Sequence, residues 1–212
     1  MGRLLLRAAL VLLALAGPLA RAETDPPPVP FPIHALDAPS PSELAKLERD
    51  HVELDEDTDP QARGSSRALV LFERPIAEVL RLLTATTRQK EYRPELARLE
   101  VIESSDHSDV AEYRLRFMLT SLRYRARVGW DYANRRIWWT LDPTFDNDMK
   151  VLDGLWELLA LDDERTLGRF TTRIDLGPAL PEFLQEYATR KKLPESMENV
   201  RHWVDSGGSW RP

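Results

Sequence analysis

Apolar and polar residues alternate through the middle of the chain with the two-residue period of β-strands. Residues 109–119 form one such run and residues 122–132 form a second, and in each run apolar side chains share one face while arginines occupy the other. The two runs predict a hairpin that turns at Thr120 and Ser121. Other runs bounded by turn residues predict further strands at residues 51–55, 67–72, 96–103, 137–141, 147–161 and 166–175.

Apolar residues three and four positions apart predict helices between and after these strands. A helix over residues 75–83 starts with a proline, which the first turn tolerates, and a second short turn over residues 87–92 ends at Pro94. A longer helix covers residues 180–204 and is interrupted at Pro194. These elements predict an α+β domain with a curved antiparallel sheet of six to seven strands, two short helices after its first strand, and a long C-terminal helix that covers one side.

The first 22 residues are typical of a secretory signal peptide. Arg3 and Arg7 precede an apolar run that is shorter than the roughly 20 residues of a membrane span, and small residues flank Arg21. We expect cleavage after Ala22 and a periplasmic or secreted mature chain without a membrane span, the alternative being an uncleaved anchor. Loss of three arginines with this segment changes the formal net charge from −6 to −9, which argues against a nucleic-acid-binding protein.

Residues 23–66 form a proline-rich extension that contains eight of the sixteen prolines of the chain. Prolines at this density favour extended chain. Within the extension, residues 42–47 predict a short helix capped by Ser42, which precedes the first strand. The proline-rich run serves either as a spacer or as a docking motif for a partner domain. The globular domain then covers residues 67–204, and residues 205–212 form a tail.

Several short motifs occur in the same order as the predicted elements. They are the strand-to-helix junction from Phe72 to Leu80, then Tyr92 and Pro94, Gly154 and Trp156, and finally Leu180 with Pro181. In this order they resemble the START-like superfamily, also called SRPBCC or helix-grip, which includes polyketide cyclase-type and coenzyme Q-binding-type proteins. The resemblance implies a helix-grip fold and a cavity between the sheet and the C-terminal helix that takes apolar ligands.

The alternation of apolar and polar residues along the strands predicts which side chains line this implied cavity. Side chains in the apolar phase are Tyr113, Leu115, Phe117, Tyr124, Val128, Trp130, Trp156, Phe170 and Ile174, and the last helix adds Phe183 and Tyr187. Aromatic rings with polar tips suit a pocket that holds an apolar body and orients one polar group. The same side chains also fit a filled core, so both interpretations stand at this point.

The sequence carries no motif for metal, nucleotide or covalent chemistry. It has no cysteine, its four histidines are far apart, and it lacks the glycine-rich fingerprints of nucleotide-binding folds. We therefore predict no cofactor and no metal ion. Four aspartates lie close together in sequence, namely Asp142, Asp146, Asp148 and Asp153. Strand geometry spreads them over a turn and an outer face, which favours a solvated loop over a calcium site.

Arginines dominate the outward phase of the predicted hairpin. They are Arg114, Arg116, Arg123, Arg125 and Arg127. Together they would form a basic patch able to dock an anionic lipid surface or an acidic partner. The alternative, which the neighbouring acids favour, is a solvated sheet face in which the arginines pair with Glu103 and Glu112.

Two functions from different classes are compatible with these features. The first is a non-enzymatic carrier of a lipid or isoprenoid-like molecule, which needs only a cavity and a helix that can open. The second is a cyclase- or aromatase-like enzyme, which needs polar groups inside the cavity. Candidates in the inward phase are Tyr113, Tyr124, Tyr187 and Thr172. Export favours the carrier, because polyketide intermediates are made in the cytoplasm. A protein-interaction module that uses the proline-rich extension is a third candidate.

Overall fold

A computed structural model describes residues 25–56, 65–117, 120–177 and 192–212. The predicted signal peptide lies outside the described residues, as does the first part of the predicted C-terminal helix, which contains Phe183 and Tyr187. Of the helices in the described part of the chain, none has the length and apolar character needed to cross a membrane.

The described residues form three α-helices, one 3-10 helix and eight β-strands. The helices are α1 (Pro41–Asp50), α2 (Ile76–Leu83), the 3-10 helix (Thr86–Glu91) and α3 (Leu193–Asp205). The strands are β1 (Val52–Glu56), β2 (Ser65–Phe72), β3 (Leu96–Ser104), β4 (Ser108–Phe117), β5 (Thr120–Asp131), β6 (Arg136–Leu141), β7 (Val151–Ala160) and β8 (Thr166–Asp175). The cap of α1 differs from the prediction, since Ser40 rather than Ser42 accepts the hydrogen bond from the backbone of Glu43.

All eight described strands belong to one curved, unclosed antiparallel sheet in the order β1-β2-β8-β7-β6-β5-β4-β3. The predicted count of six to seven strands was wrong, because β1 from the proline-rich extension pairs with β2 along its whole length. We call the face on which α2 and α3 pack the inner face, and the opposite face the outer face. The α+β class and the antiparallel arrangement are as predicted.

The long hairpin of β4 and β5 has the predicted register. Tyr113 pairs with Tyr124, and the adjacent Arg114 pairs with Arg123. Both tyrosines are buried and both arginines are exposed, so the apolar phase faces inward and the arginine phase faces outward.

Two details of this hairpin differ from the prediction. Thr120 and Ser121 belong to β5 rather than to a turn, because Phe117 at the end of β4 already pairs with Thr120. Tyr132 comes after the last residue of β5 and is 49% exposed. The strand ends one residue too early for this tyrosine to join the buried phase.

The start of the proline-rich extension packs on the outer face of the sheet. The indole of Trp138 donates to the backbone carbonyl of Pro27 at 2.6 Å, and Phe31 packs with Trp138 and Leu155. The neighbouring Trp139 packs instead with the cluster on the inner face. The two tryptophans therefore face opposite sides, as their positions in a strand predict.

The C-terminal end of α3 is fixed to the junction between β2 and α2. The backbone N–H of Glu73 donates to the carboxylate of Asp205 at 2.9 Å, and the guanidinium of Arg74 donates to the Asp205 carbonyl at 2.8 Å. Pro194 lies in the first turn of α3, where proline needs no hydrogen-bond acceptor. The residues directly before Lys192 lie outside the described part of the structure, so the interruption of a longer helix at Pro194 stays a prediction.

Candidate functional site

Buried apolar side chains on the inner face form two separate clusters. The first cluster lies below α2 and α3 and includes Phe72, Trp156 and Trp203. The second cluster lies farther along the sheet and includes Tyr113 and Tyr124. Because α3 packs against β1, β2 and α2, this helix covers the first cluster.

The predicted cavity-lining residues divide between the two clusters. The first contains Val128, Trp130, Trp156 and Phe170, and the second contains Tyr113 and Tyr124, with Leu115 and Ile174 packed against it. Phe117 contributes its backbone to β4, but its side chain lies outside the described part of the structure, as do Phe183 and Tyr187. All the described side chains thus lie on one face, and their role as cavity walls stays a prediction.

A stacked pair of tyrosines occupies the second cluster. The ring centroids of Tyr113 and Tyr124 are 4.8 Å apart and their planes differ by 6°. Burial raises the pKa of both phenols, because an apolar environment disfavours the phenolate. Both hydroxyls therefore stay protonated at neutral pH and can donate hydrogen bonds within an otherwise apolar environment.

Arg93 brings a guanidinium to this pair. Its Nε donates to Glu95 at 3.0 Å and its Nη1 donates to the side-chain oxygen of Gln89 at 3.3 Å. Although burial raises the pKa of Tyr124, the nearby positive charge of Arg93 acts in the opposite direction. Arg93 and Glu95 form an ion pair that is neutral as a whole, and N–H groups of the guanidinium stay available as donors. We call Arg93, Tyr113 and Tyr124 the tyrosine–arginine group.

A polar network holds the segment that carries Arg93 against the end of α3. The indole N–H of Trp203 donates to Glu91 at 3.0 Å, and Arg88 donates to the same carboxylate at 2.8 and 3.0 Å. The hydrogen bond from Arg88 lowers the pKa of Glu91, with burial acting against it. The ring of Tyr92 then packs 4.6 Å from that of Trp203. These contacts set where the next residue, Arg93, meets the sheet.

The four aspartates singled out in the sequence serve the loop and strand around them. Asp142 accepts from the backbone N–H of Thr144 at 3.0 Å, and Asp148 accepts from the backbone N–H of Arg123 at 2.6 Å. Asp153 faces Arg173 across β7 and β8 instead of the other three. In the described ranges, no group of three acidic or histidine side chains could hold a metal ion.

Three of the five outer arginines have partners within the molecule. Arg123 and Arg125 lie 4.0 and 3.5 Å from the carboxylate of Glu112, and Arg123 also lies 4.6 Å from the ring centroid of Phe145. The guanidinium of Arg125 lies 4.4 Å from the ring centroid of Phe145. Arg127 donates to the backbone carbonyl of Asp25 in the proline-rich extension at 3.1 Å. These contacts hold the loop that contains Phe145 and the start of the proline-rich extension on the outer face.

Three arginines lie side by side on the outer face across β3, β4 and β5. Arg114 in β4 pairs with Arg98 in β3 and with Arg123 in β5. Arg114 and Arg116 are both exposed. Arg98 pairs with Glu100 and Arg123 lies 4.0 Å from Glu112, so acidic side chains on the same face offset part of the positive charge of this row.

Comparison with solved structures identifies the fold. The Zhui aromatase/cyclase from Streptomyces sp. R1128 matches with a TM-score of 0.58 at 18% identity, over 66% of this chain and 93% of that protein. A START superfamily protein from Mycobacterium smegmatis matches with a TM-score of 0.57 at 10% identity, over 67% of this chain and 97% of that one. A STAR-related lipid transfer protein from Xanthomonas axonopodis matches with a TM-score of 0.55 at 12% identity, over 73% of this chain and 98% of that one.

The chain therefore has a START-like, helix-grip fold. No protein-family model and no curated protein sequence matches it. The resemblance seen in the sequence is thus confirmed at the level of the fold, and the residues of the site have to be judged by their own geometry.

Sequence reasoning missed Arg93. This residue stands between Tyr92 and Pro94, the two positions that carry part of the family resemblance. A proline restricts the preceding residue to extended conformations, which was a signal that Arg93 occupies a defined backbone position. The alternation of a single strand could not show that its side chain meets Tyr124, because the contact joins elements far apart in sequence.

Proposed function

We propose that this chain is an exported, non-enzymatic protein that binds an apolar small molecule of the lipid or isoprenoid kind on the inner face of its sheet. The observation that carries the proposal is the second cluster, where Tyr113, Tyr124 and Arg93 place hydrogen-bond donors within apolar surface. Binding pockets for small molecules combine a mainly apolar wall with a few polar groups that fix orientation. The expected ligand therefore has an apolar body and an oxygen that accepts hydrogen bonds.

The similar structures support a fold suited to this task. One is named as a lipid transfer protein and another as an aromatase/cyclase. At 12% and 18% identity the likeness extends to the fold alone, so neither activity transfers to this chain by resemblance.

The alternative of a cyclase-like enzyme has fewer groups to use. Thr172, one of its candidates, donates its hydroxyl to the backbone carbonyl of Asp153 at 2.9 Å and so serves the sheet. With raised pKa values, Tyr113 and Tyr124 stay protonated at neutral pH, so they can donate hydrogen bonds but are poorly suited to act as general acids or bases. A carrier needs only the donors, which is why we favour it.

Export is part of the proposal and rests on the pattern of residues 1–22. The mature protein should begin at Glu23. N-terminal sequencing of exported material tests this, and a first residue of Met1 or Gly2 would contradict the cleavage.

Ligand binding is tested by native mass spectrometry of protein purified without detergent, followed by titration with the fluorescent apolar probe N-phenyl-1-naphthylamine. We expect a co-purified lipid-like mass and saturable binding of the probe. Tyr113→Ala should weaken binding at least tenfold, whereas Tyr132→Ala, which removes an exposed ring, should leave it unchanged. Absence of saturable binding to the wild-type protein would reject the proposal and return these residues to a filled core.

A second interaction, docking to an anionic lipid surface, is favoured by the row formed by Arg98, Arg114 and Arg123. Screening limits the effect of distant acidic groups to about 10 Å at ordinary salt, so the local charge is set by the exposed Arg114 and Arg116 together with the adjacent Glu100 and Glu112. We expect co-sedimentation with phosphatidylglycerol vesicles but not with phosphatidylcholine vesicles, and loss of it in Arg114→Glu/Arg116→Glu. Arg81→Glu, on the exposed face of α2, is the matched control. Equal binding to both vesicle types would contradict this docking.

A further inference from the structure

Strands β6 and β7 separate before their ends. Their pairing runs from Arg136 to Trp139, which faces Gly154. One residue farther on, the hydroxyl of Thr140 donates to the carboxylate of Asp153 at 2.8 Å. A side-chain contact thus stands where the backbone ladder would otherwise continue, and we call the opening beyond it the β6–β7 gap.

A cleft of about 530 Å³ opens at this gap. It is lined by Thr140, Leu141, Pro143, Phe145, Asp146, Asn147, Met149, Lys150, Val151, Leu152, Asp153 and Arg173. Such a volume lies in the range of small-molecule pockets, about 300 to 1,000 Å³.

The lining of the cleft comes from both faces of the sheet. Neighbouring residues of a strand point to opposite faces, and Leu141 and Leu152 pack against the second cluster on the inner face. Thr140 and Asp153, one residue away on each strand, therefore belong to the outer face. Met149, Leu141 and Leu152 therefore belong both to the lining of the cleft and to the second cluster or its rim.

The loop at residues 142–150 forms one side of the gap and is held on both faces. Met149 is buried in the second cluster. On the outer face, the guanidinium groups of Arg123 and Arg125 lie 4.6 and 4.4 Å from the ring centroid of Phe145. The walls of the gap are thus anchored, and the contact between Thr140 and Asp153 is what joins the two strands at its narrow end.

We propose that a flexible, chain-like apolar ligand enters and leaves the inner face through the β6–β7 gap. The inference rests on the proposed function and adds the route and the shape of the ligand. An alkyl or isoprenoid chain fits an opening between two strands, whereas a rigid fused-ring molecule needs a wider one. Along this route the ligand passes from the polar rim at Asp153 and Arg173 to the apolar wall at Leu141 and Leu152.

The absence of native cysteine allows a direct test with an engineered disulfide. In Thr140→Cys/Asp153→Cys, the two cysteines replace a facing pair whose side chains already touch, and oxidation joins the strands where the two Cβ atoms approach to about 4 Å. Stopped-flow fluorescence with cis-parinaric acid, a straight-chain polyene acid, measures association with the oxidised and the reduced forms. We expect oxidation to slow association at least tenfold and dithiothreitol to restore it.

The matched control is Glu53→Cys/Leu69→Cys, a cross-strand pair of β1 and β2 at the edge of the sheet, away from the gap. Its oxidation should leave the association rate unchanged. Equal rates for the oxidised and reduced gap variant would overturn the route while leaving the proposed function in place. Failure of cis-parinaric acid to bind the wild-type protein and the reduced variant would reject both.

A second variant decides the question if the cysteine pair does not fold. Thr140→Val keeps the size of the side chain and removes its hydrogen bond to Asp153. The two strands then lose the contact that joins them at the gap, and association of cis-parinaric acid should become faster. An unchanged or slower rate would contradict the proposed route.

Discussion

The two clusters on the inner face share one sheet but are built differently. In the first, Trp203 and Phe72 are completely buried, and the end of α3 above them is fixed by Glu73 and Arg74. In the second, the buried side chains include two phenols, and the β6–β7 gap opens beside them. The difference separates an end of the sheet that is closed by a helix from an end where we propose that a ligand binds.

The largest expected loss of stability comes from a substitution that disrupts the first cluster. Trp203→Ala removes a completely buried ring together with its hydrogen bond to Glu91. Truncation of a buried aromatic residue lowers the free energy of unfolding by about 3 to 5 kcal/mol. Urea denaturation measures the loss. Tyr132→Ala is the control and should change stability by less than about 0.5 kcal/mol. A loss below about 1 kcal/mol for Trp203→Ala would show that the first cluster is not the main core.

The next effect tests the boundary between the clusters. A Cβ added at Gly154 would lie 2.0 Å from the ring of Trp139, so Gly154→Ala forces that ring to move. Overpacking of this kind lowers the free energy of unfolding by about 1 to 3 kcal/mol. Because the clash is with one side chain, Trp139→Leu should remove much of the added cost in a double-mutant cycle. Additive effects of the two changes would contradict this contact.

The buried face of the sheet was predictable from the alternation of apolar and polar residues in the strands. The alternation predicted that Tyr113 and Tyr124 both lie on the buried face, because successive side chains of a strand point to opposite faces of the sheet. The fold followed from the order of elements, since a curved sheet with one apolar face needs a helix to cover it. Local periodicity was sufficient wherever the relevant partner lay on the next strand.

Features that depend on distant partners were not predictable in this way. The pairing of β1 with β2 added a strand from a segment interpreted as an extension. The contact of Arg93 with Tyr124 and the packing of Phe31 on Trp138 join elements far apart in the chain. Hydrophobic periodicity describes which face a residue occupies, but not which distant segment covers that face.

A smaller effect, expected to depend on pH, tests the network that joins the clusters. The pKa of Glu91 is lowered below its ordinary value of 4.5, mainly by the hydrogen bond from Arg88. A lowered pKa contributes stability that is present above the unfolded pKa and is lost as the pH falls through the folded pKa. Glu91→Gln should therefore lower the free energy of unfolding by about 1 kcal/mol at pH 7. The difference from wild type should shrink as the pH falls below 4.5.

Arg88→Met provides the control for this prediction. In that background Glu91 has lost the main cause of its lowered pKa. Glu91→Gln should then have a smaller effect on stability and little dependence on pH. Urea denaturation at pH 7 and at pH values below 4.5 gives both comparisons, and a pH-independent difference in the wild-type background would contradict the role of the ion pair.

The smallest effect on stability is expected at the second cluster, and it separates binding from folding most sharply. Tyr124→Phe keeps the ring that stacks on Tyr113 and removes only the hydroxyl next to Arg93. The free energy of unfolding should change by less than about 1 kcal/mol, the ordinary contribution of one hydrogen bond. Binding of cis-parinaric acid, whose carboxylate accepts hydrogen bonds, should weaken about fivefold, which corresponds to about 1 kcal/mol. Binding of N-phenyl-1-naphthylamine, which has no oxygen, should stay the same. If Tyr124→Phe instead lowered stability by several kcal/mol and weakened both probes equally, the hydroxyl would be part of a packed core, and the second cluster would have to be described in the same terms as the first.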